Sequence, residues 1–393
     1  MGSLLDSLPN SGIVRIRELM YAVDRPFRLD QGDPSFDVPE TMKAAMRAAI
    51  ETNQTHYLQT AGLPRLKALL AAKLRARNGV PVGDADEVMV TNGGVHGIYL
   101  AAQALVEPGD EVIAPDPEWP PAAGALQAAG ASVVRCPLHA GLGWRLDVDE
   151  LASKIGPRTK GLYLNSPNNP TGGVLTRGDL ERIADLARAR DLWVISDEAY
   201  EDVLYDGAEH VSIASLPGMY ERTVPVCTLS KTYAATGVRV GYLAARGERL
   251  RDRLQKILFL TTSNVSSISQ HGAIGALEGS QDIVEACRSE LQARRDLFYA
   301  GIREAAGHVF GGEPPAGAFY AFLRIDPSWV PPAGSAATSR SWAMAEFLIG
   351  RGRIGCVPGV DFGAAGEGYV RFCFARDREE LEGALGEMKR LFA

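Results

Sequence analysis

The chain has 393 residues, of which 46% are hydrophobic and 23% charged, and its formal net charge is −7 at pH 7. This composition excludes a fibrous or disordered protein and is ordinary for a globular one with two domains, or with one large domain and a smaller companion. The negative charge and the lack of a basic run of five residues argue against nucleic acid or an anionic membrane surface as a partner.

The five cysteines are widely scattered and form no C-x-x-C pair. This spacing argues against a metal site or a disulfide framework and is typical of reduced thiols in the cytosol. The first residues, MGSLLDSLPNSG, show no basic segment followed by an apolar stretch, so no signal peptide is predicted. No apolar run approaches the length of a membrane span. The predicted location is the cytoplasm, without a membrane partner.

Short apolar strands alternate with amphipathic helical stretches through the central part of the chain. The predicted strands are EVMVT (87–91), EVIAPD (111–116), SVVRCPL (132–138), KGLYLNS (160–166), LWVISDEA (192–199), VPVCTLS (224–230) and VGYLAA (240–245). The alternation predicts an α/β domain whose mostly parallel, seven-stranded sheet is flanked by helices. Ligands bind such sheets beyond the carboxyl ends of the strands, so the residues that follow each strand are the candidates for a site.

The pattern changes after about residue 280, where a long helical stretch leads into AFYAFLRI, a helix around SWAMAEFLIG, then YVRFCFA and a final helix. These segments predict a second, smaller α+β domain. The first residues of the chain precede the first strand of the large sheet and are assigned to this domain as well. We therefore predict a large domain over 46–285 and a small domain formed by 1–45 and 286–393.

The stretch TLSKTYAATGVRVGY (228–242) contains two cations in an otherwise apolar segment. Lys231 has hydroxyl residues on both sides, and Arg239 follows eight residues later with no acid between them. A buried lysine amine is suited to form a Schiff base with an aldehyde. An arginine beside hydroxyls is suited to bind a phosphate.

Three other strand ends carry polar or aromatic residues. Asp197 ends an apolar strand, Asn169 lies in the rigid turn PNNPTGG, and Trp119 follows EVIAPD. The glycines of NGGVHG lie between a strand and a helix, where backbone N–H groups can approach an anion. Each feature alone has a structural explanation: a helix cap for Asp197, packing for Trp119, a plain tight turn for the glycines. Together with the lysine they supply the contacts that pyridoxal 5'-phosphate requires.

The motifs SPNNPTG, SDEAYEDVLY and LSKTYAATGVRVGY resemble the fold-type I, class I/II aminotransferases, the aspartate aminotransferase superfamily. DQGDPSFDVPE, HYLQTAGLPRLKALLA, PAGAFYAF and YVRFCFA resemble further segments of the family, in the same order along almost the whole chain. The resemblance implies pyridoxal phosphate as cofactor and a homodimer with shared active sites. It implies transfer of the amino group of an L-amino acid to a 2-oxo acid, with 2-oxoglutarate or pyruvate as the expected acceptor.

The resemblance also implies roles for residues around the cofactor ring. Lys231 would bind the cofactor covalently, and Asp197 would pair with the pyridine nitrogen. Asn169 and Tyr200 would hydrogen-bond the ring phenolate oxygen, and Trp119 would stack on the ring. Lys231, Asp197 and Tyr200 are thus the expected catalytic residues.

Further roles concern the cofactor phosphate and the substrate. The residues implied around the phosphate are Gly94, Val95, Thr228, Ser230 and Arg239. Tyr57 of the partner subunit would complete this group. Arg371 would grip the substrate α-carboxylate, with Gly32 and Asn169 beside it.

Two departures from the family pattern bear on the substrate. Val95 stands where some bacterial aspartate-specific members have a lysine for the distal carboxylate, so a strong preference for aspartate is not expected. The loop in which other aspartate enzymes supply an arginine shows no obvious one. Arg15 and Arg17 are candidates to compensate for it, but they are interpreted as part of a solvated helix face. The sequence names neither the amino donor nor the acceptor.

Other functions remain open at this stage. Enzymes of this fold also catalyse elimination and ring closure, so a carbon–sulfur lyase or a biosynthetic cyclase is the alternative. A transcription regulator built on such a body would carry an N-terminal DNA-binding domain, but only ~30 residues precede DQGDP. A silent binding module would not need Lys231, Asp197 and Arg371 together.

Overall fold

Two β-sheets organise the protein, whose computed structural model describes residues 11–332, 337 and 339–393. The strands of the large sheet are, in chain order, β1 (Val88–Thr91), β2 (Glu111–Asp116), β3 (Ser132–His139), β4 (Arg145–Leu146), β5 (Thr159–Asn165), β6 (Trp193–Asp197), β7 (Thr223–Thr228) and β8 (Gly241–Ala244). Their order across the sheet is β1-β8-β7-β6-β5-β2-β3-β4. All seven predicted strands are present, and β4 adds a two-residue edge strand that pairs with the end of β3.

The strand directions decide which residues meet at the carboxyl edge of the large sheet. Strands β3, β2, β5, β6 and β7 run parallel, whereas β8 is antiparallel to both of its neighbours, β7 and β1. Gly241, the first residue of β8, therefore lies opposite Thr228 and Thr91, the last residues of β7 and β1. The residues that follow each parallel strand therefore lie at this edge. Because β8 is reversed, the residues that precede it lie at the same edge.

Helices cover both faces of the large sheet, as expected for a parallel sheet whose central strands are almost entirely buried. The helices of the described residues are α1 (Gly12–Tyr21), α2 (Glu40–Glu51), α3 (Pro64–Ala76), α4 (Gly94–Leu105), α5 (Pro120–Ala128), α6 (Val148–Ser153), α7 (Arg177–Ala189), α8 (Leu229–Thr232), α9 (Glu248–Thr262), α10 (Ser267–Glu278), α11 (Asp282–Ala306), α12 (Arg340–Gly352) and α13 (Arg378–Phe392). Over these ranges, no helix combines the length and the apolar character needed to cross a bilayer.

Helix α7 shows how the local sequence sets an element. Thr176 caps its start by accepting from the backbone N–H of Asp179 at 3.2 Å, and Asp179 Oδ2 accepts from the Thr176 N–H at 2.9 Å. This reciprocal capping box satisfies two N–H groups that the first turn cannot pair. The residues buried against the sheet recur at helical spacing: Leu180, Ile183, Ala184 and Ala187.

The small sheet is antiparallel and has its own core. Its strands are β9 (Phe310–Gly311), β10 (Tyr320–Ile325), β11 (Val357–Pro358) and β12 (Tyr369–Cys373), in the order β11-β12-β10-β9. Ile16 and Met20 of α1 are fully buried in this core, so the N-terminal helix packs with the C-terminal part of the chain. Residues 1–10 of the predicted small domain lie outside the described residues.

Candidate active site

A cavity of about 430 Å³ lies where the carboxyl edge of the large sheet faces the small sheet. Every residue that the sequence analysis assigned to the site lines it, except Tyr57. The lining residues of that set are Gly32, Gly94, Val95, Trp119, Asn169, Asp197, Tyr200, Thr228, Ser230, Lys231, Arg239 and Arg371. Tyr57 lies outside the cavity, and 89% of its surface is exposed.

Lys231 reaches the cavity from the short helix α8, directly after β7. Thr228 Oγ1 accepts from the Ser230 backbone N–H at 3.2 Å and thereby fixes the start of that helix. The Lys231 amine donates to the backbone carbonyl of Gly32 at 2.6 Å. Burial lowers the pKa of Lys231 to about 8, because a charged ammonium loses its hydration there. The amine is therefore closer to its nucleophilic, neutral form than an exposed lysine is.

Asp197 ends β6 as a buried carboxylate. Its Oδ2 accepts from the Tyr163 hydroxyl at 2.9 Å, and its Oδ1 accepts from the Ala199 backbone N–H at 3.1 Å. Burial raises the pKa of Asp197 to about 6, although both hydrogen bonds and the nearby Lys231 act in the opposite direction. A buried carboxylate of this kind needs a cationic or N–H partner inside the cavity.

Glycine and arginine form the end of the cavity next to β8. Arg239 precedes the reversed strand, donates to the Thr236 carbonyl at 2.8 Å, and has a φ of 58° in the left-handed region. Gly93 has a φ of 81°, and a Cβ there would lie 2.2 Å from Arg239 Nη2. The guanidinium thus fits against the backbone that begins α4. Positive charge beside a helix N-terminus favours a small anion such as a phosphate.

Arg371 brings a second guanidinium into the cavity from β12 and is 2% exposed. It donates through Nη1 to Asn169 Oδ1 at 2.9 Å and through Nη2 to the Asp30 carbonyl at 2.7 Å. Both acceptors are neutral, and within residues 11–332, 337 and 339–393 its buried Nε has no hydrogen-bond partner. Because a buried cation with a free donor is costly, Arg371 is suited to an anionic ligand.

Trp119 and Val95 form apolar parts of the cavity wall. The Trp119 backbone N–H donates to the carboxyl of Glu118 at 2.6 Å, which ties the indole to a fixed backbone. Burial raises the pKa of Glu118 well above its usual value. Val95 remains 39% exposed at the start of α4.

A network of buried charges lies behind Asp197. Glu198 accepts from His210 Nε2 at 3.1 Å and from the Ser212 hydroxyl at 2.6 Å. Glu201 accepts from the Lys73 amine at 2.8 Å, which joins α3 to the segment after β6. Burial acts to lower the pKa of His210, but the hydrogen bond and charge of Glu198 outweigh it, and the pKa is raised.

The cavity residues that the sequence analysis did not single out include one on β10 and three on α1. Tyr320 lines the cavity from β10, within a run whose apolar pattern indicates only a core strand. Ile13, Arg17 and Tyr21 line it from α1. Both arginines are exposed, as the interpretation as a solvated helix face predicts, but Arg17 also borders the cavity.

Arg15, two residues earlier, has a structural role instead. It pairs with Glu346 at 3.2 Å, and its guanidinium carbon lies 4.2 Å from the Trp342 ring centroid. The sequence alone could not show that Arg17 borders the cavity and Arg15 does not. That distinction depends on how α1 is placed relative to the two sheets.

The cavity brings together a buried amine, a buried carboxylate and two guanidinium groups, a combination suited to an enzyme that acts on carboxylate substrates. Residues 25–387 match the family described as "Aminotransferase class I and II". The chain belongs to this family.

Relatives and solved structures agree over the full length. The chain is 37% identical to the aspartate aminotransferase of Pyrococcus abyssi over 396 residues, covering 100% of this chain and 98% of the relative. It is 36% identical to aromatic-amino-acid aminotransferase 2 of Thermococcus litoralis over 392 residues, covering 98% and 97%. The structure of the aspartate aminotransferase from Thermus thermophilus with maleate has a TM-score of 0.91 and 33% identity, covering 100% and 99%.

These similarities confirm the predicted family, fold class and activity. The protein is a fold-type I, pyridoxal phosphate-dependent aminotransferase that transfers the amino group of an amino acid to a 2-oxo acid.

Proposed function

We propose that the cavity binds pyridoxal 5'-phosphate through Lys231 and that this chain's residues direct amino-group transfer around it. The observation that carries the proposal is the meeting of Lys231, Asp197, Arg239 and Arg371 in one cavity. Three features of the cavity fit the cofactor. They are an amine, a buried carboxylate, and a close approach of the Arg239 guanidinium to the backbone of Gly93, where a Cβ would collide with it. When bound, the cofactor supplies an aldehyde that takes up the amino group and a ring that withdraws electrons.

The residues facing the cofactor ring have separate tasks in this proposal. Asp197 holds a proton on the pyridine nitrogen, and Tyr163 and the Ala199 N–H keep its carboxylate in place. Asn169 and Tyr200 donate to the ring oxygen. Arg239, with the hydroxyls of Thr228 and Ser230 and the backbone at Gly94 and Val95, holds the phosphate, and Trp119 covers the ring. This division explains why polar groups line one side of the cavity.

Lys231 also acts as the base in this proposal. Its amine removes the proton from the substrate Cα, and its pKa of about 8 suits proton transfer near neutral pH. Arg371 orients the substrate by its α-carboxylate, using donors that include the free Nε. Orientation of this kind contributes to the rate because it aligns the Cα–H bond before reaction.

The apolar part of the cavity wall supports a proposal for the substrate class. Val95 and Ile98 of α4 and Ile13 and Tyr21 of α1 are apolar or aromatic, which favours neutral and aromatic side chains. Arg17 is an exposed cation on the same helix as Ile13, and it offers a partner for a distal carboxylate. Relatives carry names as different as aromatic-amino-acid aminotransferase and arginine–pyruvate transaminase. We propose a broad donor range, with 2-oxoglutarate or pyruvate as acceptor.

A substrate panel tests this function. The loaded enzyme is assayed with aspartate, alanine, methionine and phenylalanine against each acceptor, and kcat/KM is compared. We expect aspartate to be preferred by less than about a hundredfold (~2.7 kcal/mol). Arg17→Leu should lower kcat/KM for aspartate more than for phenylalanine, while Arg15→Leu, the matched control, should not. Absence of amino-group transfer with every pair would refute the function.

We propose in addition that the active unit is a homodimer in the cytoplasm. Exposed apolar residues support a covered face: Tyr57 at 89%, Leu260 at 81% and Phe259 at 59% exposure. In this dimer Tyr57 of the partner subunit reaches the phosphate.

Five free cysteines support a reducing compartment. The division into a domain over 46–285 and one formed by 1–45 and 286–393 is supported by the packing of Ile16 and Met20 with the small sheet.

A further inference from the structure

Tyr320 is a buried tyrosine at the start of β10 that contacts several parts of the site at once. Its hydroxyl oxygen lies 2.8 Å from that of Tyr200, and its ring centroid lies 4.4 Å from the guanidinium carbon of Arg371. The same hydroxyl rests against Gly32, where a Cβ would come within 2.1 Å of it. Gly32 in turn accepts from the Lys231 amine. One side chain thus joins the phenol, the guanidinium and the segment that holds the lysine.

The hydrogen-bond directions around Tyr200 follow from Arg371, which can only donate. Because Arg371 Nη1 donates to Asn169 Oδ1, the Asn169 amide nitrogen must face the other way. That nitrogen lies 3.5 Å from the Tyr200 oxygen and donates towards it. The Tyr200 oxygen is therefore an acceptor on the side of Asn169.

Only one proton lies between the two phenol oxygens, so one tyrosine donates and the other accepts. Burial raises the pKa of both phenols far above neutral pH, and both hydroxyls keep their protons. Within the described ranges, Tyr200 is the hydrogen-bond partner of the Tyr320 hydroxyl. If Tyr200 donated to Tyr320, the Tyr320 proton would have no acceptor there, and the Tyr200 proton would be taken up by Tyr320 instead of being free for a ligand.

We propose that Tyr320 is a positioning residue whose hydroxyl donates to Tyr200 and aims the Tyr200 O–H into the cavity. The inference rests on the proposed function, in which Tyr200 donates to the cofactor ring oxygen. Donation from Tyr320 also strengthens the Tyr200 donor, because hydrogen bonds in a chain polarise one another. The ring of Tyr320 also packs against the guanidinium of Arg371. Tyr320 therefore contacts both Tyr200 and the arginine proposed to bind the substrate carboxylate.

The test is a pH titration of the absorption of the lysine-bound cofactor in the wild type and in Tyr320→Phe. Phenylalanine keeps the ring against Arg371 and removes only the hydroxyl. A donor at the ring oxygen stabilises the form in which that oxygen is negative, so a weaker donor raises the titration midpoint. We expect an upward shift of about half to one pH unit. An unshifted midpoint would overturn the proposal.

A double variant distinguishes a positioning role of the Tyr320 hydroxyl from a general loss of packing around the site. Tyr200→Phe should shift the midpoint further than Tyr320→Phe, and the double variant should match Tyr200→Phe, since Tyr320 acts through Tyr200. A further shift in the double variant would contradict the proposal. Tyr205→Phe is the matched control: its buried hydroxyl donates to the Ala318 carbonyl at 2.6 Å in the same core. It should lower stability without moving the midpoint.

Replacing Tyr320 by 3-fluorotyrosine provides a test that does not remove the hydroxyl. The fluorinated phenol is more acidic and hence a stronger donor, so the midpoint should move down; an upward or absent shift counts against the proposal. The same titration distinguishes failure of this inference from failure of the proposed function. If borohydride does not attach the cofactor to Lys231 in the wild type, the proposed function is wrong. If it does and Tyr320→Phe titrates like the wild type, only the role of Tyr320 is wrong.

Discussion

Burial acts in opposite directions on the two central ionisable residues of the cavity. It lowers the pKa of Lys231 to about 8 and raises that of Asp197 to about 6, because in both cases it penalises the charged form. At pH 7 about one Lys231 amine in ten is then neutral, against about one in three thousand for an ordinary lysine. The same burial that holds the site rigid therefore also supplies a reactive amine.

Replacement of Asp197 and replacement of Arg371 should change different kinetic constants. Asp197→Asn leaves the protein folded but no longer holds the pyridine proton, so kcat should fall by orders of magnitude with little change in KM. Arg371→Leu removes the carboxylate clamp and should raise KM steeply, at a cost of ~2–5 kcal/mol of substrate interaction. Steady-state kinetics of both variants, with circular dichroism to verify folding, measure the contrast.

An amine substrate without a carboxylate is the control for this pair. Its turnover should be insensitive to Arg371→Leu and as sensitive to Asp197→Asn as that of the amino acid. Equal losses for amine and amino acid in Arg371→Leu would mean that the carboxylate is bound elsewhere.

The strands could be predicted because each is a short apolar run bounded by turn residues, and the site residues that follow parallel strands could be predicted from that alone. Asp197 at the end of β6 and Asn169 after β5 are examples. This rule could not place Arg239 at the same edge, because Arg239 precedes β8 and nothing in the sequence reveals that β8 is reversed. The sequence analysis singled out Arg239 as a cation beside hydroxyls with no acidic neighbour, and the resemblance implied its role at the phosphate. The edge strand β4 was missed because its two residues show no periodicity.

Residues on the small domain side were harder to predict for a different reason. Tyr320 begins an almost continuously apolar strand, and such a run indicates only a core position. What makes it part of the site is contact with Tyr200, 120 residues away in the chain. Arg17 likewise depends on how α1 packs on the small sheet, which helical periodicity alone does not fix.

The buried pair of His210 and Glu198 should make the stability of the protein depend on pH. The folded pKa of His210 lies above its unfolded value, so its pair with Glu198 stabilises fully below about pH 6.5. This contribution is lost as the pH rises through the folded pKa of His210. His210→Gln should remove this pH dependence and lower the free energy of unfolding by about 3–5 kcal/mol at pH 6. Urea unfolding between pH 6 and pH 9 measures both effects.

His308→Gln is the matched control, because His308 is exposed at the end of α11. It should leave the pH dependence of unfolding as in the wild type. If His210→Gln retained the same decline with pH, another buried group would have to carry it.

At the scale of the whole molecule, a dimer with shared sites predicts complementation between impaired variants. Lys231→Ala and Tyr57→Ala each disable one contribution to a site, and a mixed dimer contains one site with both residues intact. Random reassembly should therefore restore about a quarter of wild-type activity. Activity is measured after mixing, unfolding and refolding of the two proteins, and ultracentrifugation verifies the dimer.

Lys231→Ala mixed with Arg371→Leu is the control, because both residues serve the site of their own subunit. That mixture contains no intact site and should stay inactive. Recovery in the control, or full activity in a stable monomer, would contradict a shared site.

The reversed direction of β8 also determines where the chain can change its length. Residues 229–240 connect β7 to β8, and their ends are fixed because Thr228 and Gly241 are paired across the two strands. Lys231 and Arg239 both lie within this connection. An insertion or a deletion between Lys231 and Arg239 would displace one side chain relative to the other. The fixed ends of the connection could not compensate for this displacement. We expect functional descendants of this chain to replace residues in this connection while keeping its length, and to gain or lose residues elsewhere.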